Sequence, residues 1–292
     1  MTPLSPAAGR ILVTGGSSGL GLAVATRLAA GGARVVIAGR SVDALDAALG
    51  GLPGCDHERL VLDVSDDGAW AGAIAEIDRG GSLDGVVTAA GILGPIGELD
   101  AISPVEFAAA IATNLLGTAL ALHHALPRLR ATGGRAVTFS GGGGTGPLPR
   151  YDAYAASKAA VVRLTENVAA AGSIEINCVA PGFVATRMHE GTLAAGPRAA
   201  GRAYYDRTRQ QIAAGGFPAS ESAELVAFLL APESAGITGR LISAQWDPWR
   251  DEAFRARLRE DSDLGRLRRI DDQFYSRRSE PTIQPGEQDE PS

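Results

Sequence analysis

Gly15-Gly16-Ser17-Ser18-Gly19-Leu20-Gly21 is the stretch that decides the fold of this 292-residue chain. A short apolar run with β-branched residues, 10–14, precedes it, and an Ala/Leu-rich segment with helical spacing, 22–30, follows it. Glycines between a strand and a helix let the backbone approach a pyrophosphate, whose charge is stabilised at the helix N-terminus. A tight turn would explain the glycines alone equally well. The strand before them and the helix after them indicate a dinucleotide-binding unit.

Lys158 is the only lysine of the chain, and it follows Tyr154 by four residues in an Ala-rich segment that reads as helix. Residues four apart share one face of a helix. A phenol with a pKa of about 10 is a poor acid or base near neutrality, but a neighbouring ammonium stabilises the phenolate. Arginine is a wider, planar group and suits this task less well. The spacing therefore predicts a Tyr/Lys acid–base pair.

These two motifs together resemble the short-chain dehydrogenase/reductase family. Further matches follow in the family's order from Arg10 to about Ala244: Thr14 before the glycines, Asp63-Val64, Asn114 in Thr-Asn-Leu-Leu-Gly, and Pro181-Gly182 with Thr186. The resemblance implies the catalytic residues Tyr154, Lys158, Ser140 and Asn114, with Asn114 holding a water beside Lys158. It implies cofactor contacts from Gly15, Ser17, Ser18, Gly19, Leu20, Gly21, Arg40, Asp63, Val64, Ala90, Gly91, Lys158, Pro181, Gly182, Val184 and Thr186.

Two positions depart from the family pattern. The family's serine lies about thirteen residues before the tyrosine, where this chain has Gly141; Ser140 is one residue earlier. The glycines at 141–144 are flexible enough to let Ser140 take over. Alternatively, Ser140 only ends the strand, and a backbone amide or a water replaces the hydroxyl. Thr88 stands where the family commonly has asparagine, and we expect its hydroxyl to make the replacing hydrogen bond.

Alternating strands and helices predict an α/β fold: a doubly wound, parallel, seven-stranded Rossmann-type sheet in a three-layer α/β/α arrangement. The predicted strands are 10–14, 34–38, 59–62, 85–89, 136–140, 174–179 and 241–244. The clearest predicted helices are 43–49, 70–78, 104–129, 151–171, 223–230 and 251–259. We expect one domain over residues 1–278, comprising a core at about 9–245, a substrate lid at about 184–217 and an extension at 246–278, with a disordered tail at 279–292.

The residue after the second predicted strand indicates the cofactor. NAD enzymes of this architecture place an acid there, whereas this chain has Arg40, which can pair with a 2′-phosphate. We therefore expect NADP(H). Asp43 nearby keeps NAD(H) possible, although it fits equally well in the first turn of the next helix, and Arg40 could be a solvated turn residue.

Composition limits the remaining possibilities. A formal charge of −6 disfavours nucleic-acid binding. No apolar stretch looks long and uncharged enough to span a membrane, and the N-terminus does not resemble a signal peptide. Two cysteines make no disulfide framework, and four histidines suggest no metal cluster. We expect a cytoplasmic enzyme without a metal. The resemblance implies a homodimer or homotetramer formed by helices 104–129 and 151–171.

The extension contains eight apolar residues among many arginines: Trp249, Phe254, Leu258, Leu264, Leu267, Ile270, Phe274 and Tyr275. A disordered segment would not need them. We therefore expect 246–275 to pack near the lid. Trp246, Trp249 and Phe254 could line the pocket or belong to the core.

Three functional classes remain open. An NADP(H)-linked carbonyl reductase or alcohol dehydrogenase acting on a small molecule is favoured, with an NAD-dependent sugar or polyol dehydrogenase as its variant. The second class is an epimerase, dehydratase or isomerase that retains its dinucleotide. The third is a dinucleotide-binding regulator, which would not need a phenol at Tyr154.

Overall fold

A computed structural model describes residues 9–271 and residue 274, and its centre is a parallel seven-stranded sheet. The strand order is β3-β2-β1-β4-β5-β6-β7. The strands are β1 Arg10–Thr14, β2 Arg34–Gly39, β3 Glu58–Val61, β4 Gly85–Thr88, β5 Arg135–Phe139, β6 Glu175–Ala180 and β7 Leu241–Ser243. The order reverses between β1 and β4, which is where doubly wound sheets bind their ligands. The predicted fold class is confirmed.

Helices cover both faces of the sheet. They are α1 Gly19–Ala30, α2 Val42–Gly50, α3 Asp67–Arg79, α4 Pro104–Ile111, α5 Gly117–Thr132, α6 Asp152–Ala170, α7 Arg187–Ala200, α8 Arg202–Ala213, α9 Ala219–Leu230 and α10 Glu252–Glu260. One face of the sheet packs on α1 and α9, and the other packs on α3 and α5. β1 and β4 are buried along their whole length, which explains why both read as continuous apolar runs.

The predicted helix 104–129 is interrupted by a π-helical turn, Ala112–Leu116. This turn contains the buried Asn114, whose backbone oxygen accepts a hydrogen bond from the Thr118 hydroxyl at 2.8 Å. Single π turns are often found at functional sites. The segment predicted as a lid contains two helices, α7 and α8.

The continuous segment Pro104–Thr132 is long and apolar enough to cross a membrane, because it contains an 18-residue window with a mean hydropathy of 1.6. The expectation that no stretch meets this criterion was therefore wrong. Core helices of water-soluble proteins meet it too, and this one packs against β4, α3 and α6. The segment is part of the helical layer on one face of the Rossmann-type sheet.

Residues 246–271 pack on the body of the domain. Trp249 is buried with its ring 5.9 Å from that of Phe228, and the Arg250 guanidinium lies 4.0 Å from the Trp249 ring centre. Further along, Gly265 O accepts a hydrogen bond from Leu241 N of the edge strand β7 at 2.6 Å. The extension thus covers the edge of the sheet. Of its predicted apolar residues, Tyr275 lies outside the described residues, as does the predicted tail.

Candidate active site

The glycines Gly15 and Gly21, at the turn between β1 and α1, leave no room for a side chain at their positions. A Cβ on Gly15, whose φ is +66°, would lie 2.8 Å from Ala90 Cα, and a Cβ on Gly21 would lie 2.8 Å from the Gly15 carbonyl carbon. Ser18 precedes α1 without capping it through its side chain, so the first N–H groups of the helix stay available to an anion. This bare cradle fits a dinucleotide pyrophosphate.

A cavity of about 1380 Å³ extends from this turn across the carboxyl ends of the strands. All of the proposed cofactor contacts line it, and so do Tyr154, Lys158 and Ser140. Asn114 does not line it. Its Oδ1 accepts from Ile92 N at 2.8 Å, and its Nδ2 donates to Ile92 O at 2.9 Å and to Ser157 Oγ at 3.0 Å. Asn114 therefore stabilises the loop after β4 from the side that faces away from the cavity.

Tyr154 and Lys158 lie one turn apart on α6. The Lys158 Nζ is 5.7 Å from the Tyr154 ring centre and donates to Phe139 O at 3.0 Å. Burial lowers the pKa of Lys158 to about 8, because a low-dielectric environment disfavours the ammonium.

The expectation that Lys158 lowers the phenol pKa does not hold for the protein alone. Burial raises the pKa of Tyr154, and the neighbouring Tyr204 adds to that rise. The lysine, bonded to a backbone carbonyl and with a depressed pKa of its own, does not outweigh desolvation here.

Gly141 lies directly against the phenol. A Cβ on this residue would be 3.0 Å from the Tyr154 Cζ and closer still to the hydroxyl oxygen. Ser140 is buried, and its Oγ points toward Gly144, where an added Cβ would overlap it. Both residues line the cavity, and Gly141 is the one whose added Cβ would meet the phenol oxygen.

Thr88 differs from its prediction. Its Oγ1 is buried without a hydrogen-bond partner among the described residues, so the expected hydroxyl hydrogen bond is not made. The side chain lies at the carboxyl end of β4 and on the same face as Val86, because side chains alternate along a strand. The residues opposite Thr88 on the neighbouring strands are Thr14 and Thr138. Their hydroxyls bond to Ala90 N and to Thr165 Oγ1 and not to Thr88.

One end of the cavity carries an arginine and an acid. At the end formed by β2 and β3, the exposed Arg40 lies beside Asp63. The hydroxyl and N–H of Ser65 lower the pKa of Asp63 first, and the charge of Arg40 lowers it further. Asp43, the residue that kept NAD(H) open, does not line the cavity.

The lid contributes residues that sequence reasoning missed. Tyr204, Arg207 and Gln211 of α8 line the cavity, and their spacing of three and four was the available signal. The Tyr204 ring is 4.8 Å from that of Tyr151. The Tyr151 hydroxyl donates to Thr192 Oγ1 at 3.0 Å. Tyr151, the residue before α6, thus contacts both lid helices.

An aromatic pair and an exposed tryptophan complete the lining. His189 of α7 stacks on Phe183 with ring centres 4.0 Å apart. Burial lowers its pKa, and its Nδ1 has no partner among the described residues. Trp246 lines the cavity and is 77% exposed, whereas Trp249 and Phe254 belong to the core. No cluster of three metal-ligating side chains occurs within 9–271.

Comparison with known proteins agrees with this geometry. The family model described as enoyl-(acyl carrier protein) reductase matches residues 15–245. Levodione reductase of Leifsonia aquatica is 32% identical over 245 residues, which are 80% of this chain and 91% of the relative. Cis-4-hydroxycyclohexanecarboxylate dehydrogenase of Sinomonas cyclohexanicum is 35% identical over 242 residues, with 80% and 93% covered.

Solved structures are similar as well. The structure of a single-residue variant of actinorhodin polyketide ketoreductase with NADPH superposes with a TM-score of 0.72 at 27% identity, covering 81% of this chain and 95% of that structure. The levodione reductase structure superposes with a TM-score of 0.73 at 30% identity, covering 82% and 96%. The chain belongs to the short-chain dehydrogenase/reductase family. It is an oxidoreductase that uses a nicotinamide dinucleotide.

Proposed function

We propose that the protein is an NADP(H)-dependent oxidoreductase that interconverts a carbonyl and a secondary alcohol, using Tyr154 and Lys158 as its acid–base pair. The observation that carries the proposal is the placement of this pair. The phenol and the ammonium lie one helical turn apart in the same cavity as the glycine cradle. A dinucleotide on the cradle and a substrate at the phenol would share one enclosed space.

The dinucleotide, when bound, supplies or accepts the hydride. In the reductive direction the Tyr154 hydroxyl donates its proton to the carbonyl oxygen as negative charge develops there. Because burial raises the pKa of Tyr154, the chain alone keeps this phenol protonated. Lys158 supplies positive charge beside the phenolate left behind and is available to donate to ribose hydroxyls.

The second donor to the carbonyl oxygen differs from the family pattern. We propose Ser140 for this role, with a movement of the 141–144 loop, because it lines the cavity and precedes the glycine run. The backbone N–H groups of that loop, or a water, are the alternative. Asn114 is proposed to act by holding the loop at Ile92, which lines the cavity beside Gly91.

Arg40 supports the choice of NADP(H). Its guanidinium lines the cavity at the end away from Tyr154, and a 2′-phosphate would meet a fork of donors there. An NAD-dependent sugar or polyol dehydrogenase is the alternative within the same chemistry. An epimerase, dehydratase or isomerase that retains its dinucleotide is the alternative outside it, since Gly141 departs from the redox pattern.

The relatives suggest where the substrate search should begin. Levodione reductase and the hydroxycyclohexanecarboxylate dehydrogenase are named for compounds of modest size, and the cavity offers Phe183, Tyr204 and Trp246 as apolar surfaces. We propose a small ketone or secondary alcohol, with six-membered cyclic ketones as first candidates.

We also propose a cytoplasmic homodimer or homotetramer. Val105 of α4 and Leu116 of the π turn are exposed apolar side chains, at 78% and 46%, on the helices predicted to pair. Closed symmetric assemblies are the general expectation for soluble oligomers. A monomer by light scattering at micromolar concentration would contradict this.

A panel of cyclic ketones run with NADPH and with NADH, and of the corresponding alcohols run with NADP⁺ and with NAD⁺, tests the activity. Absorbance of the reduced nicotinamide should fall with ketones and rise with alcohols. Product formation without a net absorbance change would instead favour the non-redox alternative.

A further inference from the structure

The inner face of α8 carries three hydrogen-bonding side chains in a row. Tyr204, Arg207 and Gln211 all line the cavity, and separations of three and four residues place them on one side of the helix. All three can donate hydrogen bonds. The lid therefore presents a ladder of donors to the end of the cavity that contains Tyr154.

Arg207 has no acidic partner among the described residues. No described carboxylate lies within 4.0 Å of its guanidinium, whereas Arg209 of the same helix approaches Asp206 at 4.0 Å and Arg150 pairs with Glu98. Arg10, Arg27, Arg59, Arg128 and Arg135, by contrast, each form an ion pair with a carboxylate of the domain. An arginine that faces a cavity without a counter-ion is suited to pairing with a charge from outside the chain.

The lining of the cavity carries little compensating charge. Among residues 9–271, Asp63 is the only acid that lines it, and Asp63 lies at the far end beside Arg40. Arg187 also lines the cavity, again without an ion pair in the described part of the chain. The potential at the lid is therefore positive, which favours an anion.

Arg207 and the reacting phenol both lie within electrostatic reach of Tyr204. Its charge lowers the pKa of Tyr204, and Tyr204 in turn raises the pKa of Tyr154. Arg207 therefore lies close enough to interact with Tyr204, and Tyr204 lies close enough to interact with Tyr154. Arg207 is about one helical turn, roughly 5 Å along α8, from Tyr204. This spacing suits a small molecule with its carbonyl at Tyr154 and an anionic group a few bonds away.

We infer that Arg207 binds a carboxylate of the substrate, so that the enzyme prefers small ketones or secondary alcohols that carry a carboxylate over neutral ones. A guanidinium matches a carboxylate with two parallel hydrogen bonds. That the substrate has a reacting carbonyl rests on the proposed function, whereas the anion site is inferred from the geometry of the lid. Arg207 is exposed, so its effect should be moderate and should weaken with salt.

A binding experiment tests the inference without requiring turnover. Cyclohexanecarboxylate and its neutral amide, cyclohexanecarboxamide, are titrated into the full chain by calorimetry, with and without NADPH. At low ionic strength the carboxylate should bind roughly fivefold or more tightly than the amide, and added salt should shrink the difference. Arg207→Ala should abolish the difference, and Arg207→Lys should retain part of it.

Arg202→Ala is the matched control, because Arg202 belongs to the same helix but does not line the cavity. It should preserve the full carboxylate preference. Equal binding of acid and amide by the unaltered protein would overturn the inference, and so would a preference that survives Arg207→Ala or disappears in Arg187→Ala instead. If the preference follows Arg207 but no ketone or alcohol turns over with either cofactor, the anion site stands and the proposed function fails.

Discussion

Gly141 and the hydroxyl of Tyr154 are in direct contact, and there is no space between them for a side chain. A Cβ at position 141 would lie 3.0 Å from the Tyr154 Cζ and nearer to the oxygen. The absence of a side chain at position 141 thus allows the phenol to occupy its position. The family's serine cannot simply be restored at this position without displacing the tyrosine.

Gly141→Ala and Gly141→Ser should therefore both reduce kcat, roughly tenfold or more, because a misplaced acid loses stabilisation of the transition state. Steady-state kinetics with circular dichroism as a folding check will measure this. Gly142→Ala is the control, since its Cβ would meet only Leu148 Cδ2 at an ordinary 3.4 Å. A gain in activity for Gly141→Ser would mean that the loop rearranges and that the serine was merely missing.

Strands and helices could be located from sequence to within a few residues, because buried parallel strands are continuous apolar runs. The π turn at Asn114 could not be foreseen, since residues 112–116 contain no glycine or proline and the Asn114 side chain bonds to Ile92, which is distant in sequence. The lining by Tyr204 and Arg207 was also missed. A helix in a lid can present any face until its contacts, such as that with Tyr151, are known.

Tyr154→Phe should abolish turnover while leaving cofactor affinity within a few-fold, because the phenol acts mainly in the transition state. Fluorescence titration of the dinucleotide, alongside kinetics, separates the two effects.

Lys158→Arg should also be badly impaired despite its charge. Lys158 is buried with its Nζ bonded to Phe139 O at 3.0 Å, and a guanidinium is too large for that position. Retention of most activity by this variant would contradict the role given to the only lysine.

Arg40→Ala should weaken NADPH binding more than tenfold and leave NADH binding nearly unchanged, since a charged hydrogen bond to phosphate contributes roughly 1.5–3 kcal/mol. Direct titration of both dinucleotides measures this. Arg59→Ala is the control, because Arg59 pairs with Asp46 and does not line the cavity. Equal affinity of the unaltered protein for both dinucleotides would favour NAD(H) as the working cofactor.

Stability should depend on pH through Lys158. Its pKa is lowered from 10.5 to about 8 by burial, so the unfolded chain binds more protons between these values. The contribution of Lys158 to the free energy of unfolding should therefore rise with pH across that window, and its full cost should be present below pH about 8. Lys158→Met removes the destabilisation that comes from burying the charged ammonium. Its advantage in Tm should be largest near pH 8 and shrink toward pH 10.5.

Cys178 and Tyr151, whose pKa values burial raises to about 11 and about 12, act in the opposite sense. Tyr151 is present in parent and variant, so its effect cancels in the difference. Cys178 does not cancel fully, because Lys158→Met also removes the positive charge that lowers the pKa of the Cys178 thiol. A Tm advantage that does not change with pH would show that Lys158 is not titrating in the folded protein over this range.

The part of the extension that contacts the domain should be required for stability. Ending the chain at Ala244 removes the buried Trp249 and the bond from Leu267 N to Glu166 Oε1 at 2.7 Å, and it uncovers the edge strand β7. The truncated protein should be insoluble or strongly destabilised, because it exposes an apolar patch and a free sheet edge. Ending the chain at Arg278 should leave solubility and kinetics unchanged.

Two point variants distinguish the role of the extension in stability from its role in lining the cavity. Trp249→Ala should lower the free energy of unfolding by about 3–5 kcal/mol, as expected for a large buried aromatic, and denaturant titration will show it. Trp246→Ala should leave stability unchanged, since Trp246 is 77% exposed, but should raise KM because its ring lines the cavity. If the chain ending at Ala244 behaved like the full protein, the extension would be a passive appendage and Trp246 would have no role in substrate binding.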